Sequence, residues 1–184
     1  MASLITHAMV GAVLGHTAKP GSVRGFLGIA IFCSMLPDID VIGFRMGVHY
    51  GDLWGHRGMT HSLLFAAVIA ALFAILFSDR SQTPWKLAMV LFLITASHGV
   101  LDALTDGGLG VAFFSPFNPH RYFFAVTPIA VSPIGVRRFL SASGMRVLWT
   151  EVLWVWVPIL AVAAIARWAR LRYPAARVRV KESS

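Results

Sequence analysis

The run from Pro84 to Leu104 is apolar over almost its whole length, yet it carries His98 and Asp102. A hydrocarbon core of about 30 Å asks for roughly 20 mostly apolar residues in a helix. Within such a segment every backbone polar group must be satisfied by the chain itself, so a single span takes the form of an α-helix. A histidine and an aspartate four residues apart are costly in that setting, and ionisable groups at membrane depth mark functional positions by default. The rest of the chain agrees with a membrane setting. Of its 184 residues 57% are hydrophobic and only 13% charged, and the mean hydropathy is +0.71, a balance well outside that of ordinary soluble domains.

Five apolar segments can be marked: Ala2 to Ala18, Ser22 to Pro37, Ser62 to Phe77, Pro84 to Leu104 and Val147 to Ala166. They predict an all-α, polytopic membrane helical bundle of about five helices. The fourth and fifth are long enough to span. At 1.5 Å rise per residue the second and third reach only roughly 24 Å, so two of the five are expected to be short or partly inserted. Lys19-Pro20-Gly21 separates the first pair, Pro37 is expected to close the second helix, and Ser81-Gln82-Thr83-Pro84 opens the fourth. Ala8, Gly11, Ala12 and Gly15 give the first helix a small-residue face that admits a close neighbour. The single Cys33 lies in an apolar run, where a buried, inert thiol is the default reading.

The formal net charge is +8, and six of the sixteen basic residues fall at the C-terminal end: Arg167, Arg170, Arg172, Arg177, Arg179 and Lys181. A basic tail after a last apolar helix marks the cytoplasmic side and contacts anionic lipid, so membrane lipids are the expected partner and nucleic acid is disfavoured. Five alternating spans would place the Lys19/Arg24 and Arg80/Lys86 turns on the tail's side. Loops 38–61 and 105–146 then share the opposite face, with Arg45, Arg57, Arg121, Arg137, Arg138 and Arg146 among them. The N-terminal MASLITHAMVGAV has no basic n-region, so it is expected to stay as the first helix.

Chemistry concentrates at that shared face. Pro37-Asp38-Ile39-Asp40 sets two carboxylates at a helix end, where they repel unless a cation, a basic partner or a proton relieves them. Gly55-His56-Arg57-Gly58-Met59-Thr60-His61-Ser62 holds two imidazoles with a guanidinium between them. His98, Asp102 and Asp106 follow i, i+4, i+8 spacing, which puts the first two on one helix face. His7 lies at the same end of the first helix, whereas His16 is at its other end and His49 and His120 are in loops. His7, Asp38, Asp40, His56, His61, His98 and Asp102 are therefore the candidate metal ligands. Imidazole with carboxylate suits zinc, with manganese or iron as alternatives. Arg57 is expected to clamp an anionic oxygen, and Asp106 to orient water or act as base. Ordinary helix caps or a packing network would explain any one cluster. They would not need to converge on one face from four segments.

Thr6-His7, the Pro37-Asp38-Ile39-Asp40 run, His56-Arg57-Gly58-Met59-Thr60-His61-Ser62 and Ser97-His98 to Asp102 resemble the YdjM-type family. Its members are described as LexA-binding, inner-membrane-associated hydrolases or membrane-bound metal-dependent hydrolases. The resemblance covers roughly residues 1–125, and the final helix and tail carry no matching signature. It implies a bacterial inner-membrane location, a metal-dependent hydrolase activity and, from the family description alone, a regulatory protein partner. The family is more distantly similar to the helical zinc phospholipase C and zinc nuclease group, which cleaves phosphodiesters. That group's terminal-tryptophan and Glu ligands find no counterpart here. The expected layout is a hydrolase-like membrane domain over residues 1–125, a loop and final transmembrane helix over 126–166, and a basic tail over 167–184.

Three functions fit these residues. The first is metal-dependent hydrolysis of a lipid-linked, amphiphilic or phosphodiester-type substrate at the membrane surface. The second is transport of a metal ion or proton, which calls for ligands at several depths. The third is a non-catalytic scaffold whose helices are stapled by metal. Loop 107–146, with Phe113, Phe114, Phe117, Phe123 and Phe124, reads either as a flap over the site or as a hydrophobic re-entrant segment.

Overall fold

The computed structural model describes residues 1–18, 25–77 and 84–172. The breakers Lys19-Pro20-Gly21 and Ser81-Gln82-Thr83, the turn charges Arg24 and Arg80, and the tail residues Arg177, Arg179 and Lys181 lie outside them. Among the described residues the chain is helical, with no β-strand and two isolated bridges, Thr105 to Ile129 and Val111 to Tyr122. The helices are α1 (Leu4–Ala18), α2 (Phe26–Met35), α3 (Leu63–Phe77), α4 (Pro84–Ala103), the short α5 (Val136–Phe139), α6 (Ala142–Glu151) and α7 (Val157–Arg172).

The second apolar segment departs from expectation. Pro37 does not end it: the chain changes from α to 3-10 winding and continues as a 3-10 helix over Leu36–Met46, giving a continuous Phe26–Met46 helix long enough to span. Proline lacks the N–H that would bond back to Cys33, and tighter winding is one way to continue past it. A second irregularity joins α6 to α7, where Val152–Trp156 forms a π-helical turn. It ends two residues before Pro158, whose ring would clash with the Trp154 carbonyl in regular α winding. Ala142–Arg172 is thus one 31-residue apolar helix, and with Phe26–Met46 and Pro84–Ala103 it makes three helices long and apolar enough to cross a membrane. Leu4–Ala18 and Leu63–Phe77 are apolar but shorter.

Helices α1 and α2 pack as one pair, α3 and α4 as another, and α2 joins α4 across the middle. Phe26, Ala30, Cys33, Ala70, Ala74, Leu87, Leu91 and Ile94 form the core between α2, α3 and α4, with the Cys33 thiol buried among them. The other faces turn large apolar side chains outward. Ile75 is 74% exposed and Val162 65%, and α7 buries no residue. Water would penalise so extended an apolar surface, whereas hydrocarbon solvates it.

The small-residue face of α1 meets α2. A Cβ on Gly11 would lie 2.7 Å from Ser34 Cβ and 2.9 Å from the Ala30 carbonyl oxygen. This close approach sets the depth at which Ser34 donates to the His7 carbonyl at 2.7 Å. Gly11→Leu should therefore cost about 1–3 kcal/mol by overpacking. Thermal unfolding in detergent would show it as a lowered midpoint, while Gly28→Leu, where the added carbon meets nothing within 4 Å, leaves the midpoint unchanged or raises it.

Candidate metal centre

Four segments converge at one end of the bundle. His7 comes from the start of α1, Asp38 and Asp40 from the 3-10 helix, His56, Arg57 and His61 from the loop before α3, and His98 and Asp102 from the last turns of α4. The 3-10 winding assigns the two aspartates different tasks. At about 120° per residue, positions two apart point to different sides of the helix.

Asp38 turns toward the centre of the cluster. With His61, His98 and Asp102 it forms a group whose donor atoms all lie within 4.8 Å of one another. Its Oδ1 is 3.3 Å from His98 Nε2 and 3.7 Å from His61 Nε2, and neither of its buried oxygens has a hydrogen-bond partner. Asp102 Oδ2 lies 3.5 Å from His61 Nε2, and its Oδ1 lies 3.4 Å from His7 Nε2.

Asp40 turns the other way and acts on the imidazoles from behind. Its Oδ1 is 2.7 Å from His56 Nδ1. Its Oδ2 receives Thr60 Oγ1 at 2.7 Å and the Arg57 N–H at 3.2 Å, and lies 3.2 Å from His61 Nδ1. Asp40, His56 and His61 also satisfy the spacing of a second metal group. With both oxygens of Asp40 already taken by donors, an orienting carboxylate is the better description.

The hydrogen bonds determine the tautomers. An ionised carboxylate and a carbonyl oxygen only accept. His61 Nδ1 faces Asp40, and His98 Nδ1 faces the Ser34 carbonyl at 2.7 Å, so both rings carry their proton on Nδ1. With both rings neutral, the two Nε2 atoms meet at 3.1 Å lone pair to lone pair, beside carboxylate oxygens of Asp38 and Asp102. A metal cation, or a second proton on one ring, relieves that arrangement, and metal-ligating histidines are held in this way. Burial by itself pushes His61 down, but the carboxylates of Asp102, Asp38 and Asp40 outweigh it and raise His61 well above its ordinary value, so positive charge is favoured at this point. The donor set of two imidazoles and two carboxylates fits a divalent transition metal. His7 stands beside it, stacked on His98 at 3.6 Å between ring centroids, with both ring nitrogens unpartnered.

Of the two expected catalytic groups, Arg57 lies against the cluster and Asp106 apart from it. Arg57 is fully buried and donates to Asp102 Oδ2 at 3.1 Å, the Gly107 carbonyl at 2.8 Å and Thr105 Oγ1 at 2.7 Å. Three of its donors are spent inside the protein, so it fixes Asp102 rather than presenting a free fork to a ligand. Its backbone adopts φ 63°, a region that non-glycine residues seldom enter. The next residue, Gly58, has no room for a side chain, because a Cβ there would lie 2.4 Å from the Leu53 carbonyl oxygen. Asp106 does not join the cluster. The i, i+4, i+8 register requires a helix that continues, and α4 ends at Ala103. Asp106 instead accepts the Val131 N–H at 2.8 Å and lies 3.9 Å from Arg146 on a partly exposed surface.

The stretch 112–121 of the segment 107–146 packs against the loop that carries His56 and His61, while α5 and the start of α6 occupy its end. Ala112 N donates to the Arg57 carbonyl at 3.0 Å, Leu63 N to the Phe113 carbonyl at 2.9 Å, and Arg121 to the His56 carbonyl at 2.9 Å. Phe117 and Phe124 point outward, 84% and 45% exposed.

Two supports lie outside the predicted set. The backbone N–H of Ala2 donates to Asp102 Oδ1 at 2.7 Å, which no side-chain pattern announces. Glu151, fully buried, accepts from Ser3 N, from Ser3 Oγ at 2.6 Å and from Thr6 Oγ1 at 2.8 Å, and Thr6 Oγ1 in turn accepts Trp156 Nε1 at 2.8 Å. A lone carboxylate in the last apolar segment was the available signal for it.

Two outcomes test this geometry. Asp40→Asn should weaken metal binding about 10–100-fold while every ligand remains, measured by metal titration of the detergent-purified protein. Arg57→Met leaves Asp102 buried without its countercharge and should cost about 3–5 kcal/mol, seen as a lower unfolding midpoint of the metal-free chain.

The comparisons with known proteins agree with this architecture. The chain is 37% identical over 176 residues to the inner membrane protein YbcI of Escherichia coli (strain K12), an alignment covering 92% of this chain and 99% of that protein. No solved structure matches it. The profile described as YdjM inner membrane protein matches residues 1–173, past residue 125 and through the final helix. The chain therefore belongs to the YdjM family of inner membrane proteins.

Proposed function

We propose that this chain is a membrane-bound, metal-dependent hydrolase. The observation that carries the reading is the pair of Nε2 atoms of His61 and His98, facing each other beside the unpartnered oxygens of Asp38. In this reading Asp38, His61, His98 and Asp102 hold a divalent ion, zinc by preference, with manganese or iron as alternatives. His7 stands behind Asp102, and Asp40 with His56 orients His61. An ion so held would supply Lewis acidity and lower the pKa of a water molecule, which is the chemistry that hydrolysis needs. Arg57 contributes by keeping Asp102 in place. Ester or phosphodiester substrates that are lipid-linked or amphiphilic fit a centre at the boundary of a bilayer. The basic C-terminal end is assigned to the cytoplasmic side by its excess of Lys and Arg.

Transport would require donors at several depths, whereas these donors cluster at one end of the helices. A purely structural staple would leave no room for substrate, whereas Asp38 borders a groove. The test is the metal content of the detergent-purified protein by inductively coupled plasma mass spectrometry, combined with hydrolysis of ester and phosphodiester lipids. Wild type should hold at least one ion per chain and turn substrate over. The His61→Ala/Asp102→Ala variant should keep its helical circular dichroism and lose both ion and turnover. Wild type that stays metal-free after reconstitution with zinc, manganese and iron overturns the reading.

A further inference from the structure

Of the four clustered donors, three are sealed: His98 and Asp102 are 0% exposed and His61 4%. Asp38 is also buried, but it is the one of the four that lines a groove. Its side chain is 6% exposed, its two oxygens have no hydrogen-bond partner, and it borders a groove of about 450 Å³ between the start of α1 and the segment 132–139. That volume lies within the range of ligand sites. The walls are Leu4, Ile5, Val41, Pro133, Ile134 and Phe139. Leu4 is 45% exposed, Ile5 50% and Ile134 42%, so much of the wall is open. A water-soluble substrate would have to shed its hydration to pass along such walls, whereas a hydrocarbon chain gains by entering. Arg137 and Arg138, both exposed, sit in sequence between the groove residues Gly135 and Phe139 and place positive charge at the rim.

From this geometry we infer that the groove takes an acyl chain of an anionic, phosphate-bearing membrane lipid and brings its head to Asp38. The inference rests on the hydrolase reading for its purpose, but binding in the groove is measurable without turnover. Apolar walls receive the chain, the arginines of segment 136–139 attract the phosphate, and Asp38, the least enclosed of the four donors, borders the polar end. Selectivity for chain then lies with Ile134 and Phe139, and selectivity for head charge with Arg137 and Arg138.

The experiment uses the full chain in phosphatidylcholine nanodiscs doped with phosphatidylglycerol that carries a diazirine at the end of one acyl chain. After photolysis the label is mapped by mass spectrometry. It should concentrate on the peptides holding Leu4–Ile5 and Pro133–Phe139. Ile134→Trp, which fills the groove, should lower that labelling several-fold, while Ile75→Trp on the outer face of α3 leaves it unchanged and both variants keep wild-type metal content. If Ile134→Trp fails to fold, Ile134→Ser, which removes the wall without adding bulk, should lower the labelling instead. A diacylglycerol with the same diazirine should label less, and Arg137→Gln/Arg138→Gln should abolish the difference. Labelling spread evenly over α3 and α7, or unchanged by filling the groove, overturns the inference. A chain that labels in the groove but hydrolyses nothing overturns the hydrolase reading alone. One that hydrolyses soluble esters without groove labelling overturns the groove alone.

Discussion

Asp102 is the carboxylate on which the rest of the centre is assembled. It is fully buried, and its oxygens meet the Ala2 N–H at 2.7 Å and Arg57 Nε at 3.1 Å, with His7 and His61 at 3.4 and 3.5 Å. Those partners come from the N-terminal stretch through the start of α1 and from the loop before α3, so one side chain of α4 holds two parts of the chain that are distant from it and from each other in sequence. A buried charge is tolerable only when it is paired and hydrogen-bonded, and each partner is thereby constrained by the cost of leaving Asp102 unpaired. The positive φ of Arg57 belongs to the same requirement, because the guanidinium reaches Asp102, Thr105 and Gly107 from a backbone position that is otherwise unfavourable.

The polar cluster and the apolar bundle depend on each other. Helices that offer hydrocarbon-like surfaces to lipid gain little from apolar burial against one another, so close approach and buried polar contacts carry their association. Here the close approach is at Gly11 and Gly15 of α1 against α2. The polar contacts are the Asp38 to Asp102 group and, beside it, Glu151 with Ser3, Thr6 and Trp156. Glu151 joins the last helix to the first, and the π turn that follows it keeps Trp156 on the α1 side. The final helix thus takes part in the same polar framework as residues near the N-terminus, although Glu151 and Ser3 are 148 positions apart in sequence.

Much of this was legible from residue order because the constraints are local. An apolar run of a given length must be a helix in a bilayer, and polar residues at its end must lie at one surface. His7, Asp38, Asp40, His56, His61, His98 and Asp102 could be placed on one face on that basis, and the structure brings all seven together. Asp106 stands apart from the seven because helical spacing holds only while the helix lasts, and α4 stops at Ala103. Pro37 misled for the opposite reason, since a proline excludes the α-helix hydrogen bond but permits 3-10 winding.

Residue order by itself determined the membrane class, the helical form and the inventory of donors at one face, since hydropathy and periodicity are properties of short stretches. Tertiary structure decided which donors form the centre and which stand behind it. Asp38 and Asp40 are chemically identical and two residues apart, and only the 3-10 winding, the Thr60 hydroxyl and the Arg57 backbone N–H separate a group facing the centre from one that orients His61 and His56. Tautomers follow the same logic: His61 and His98 turn Nε2 inward because Asp40 and the Ser34 carbonyl, far away in sequence, occupy their other nitrogens. Such assignments depend on distances of a few ångströms between remote segments, and no local pattern encodes them.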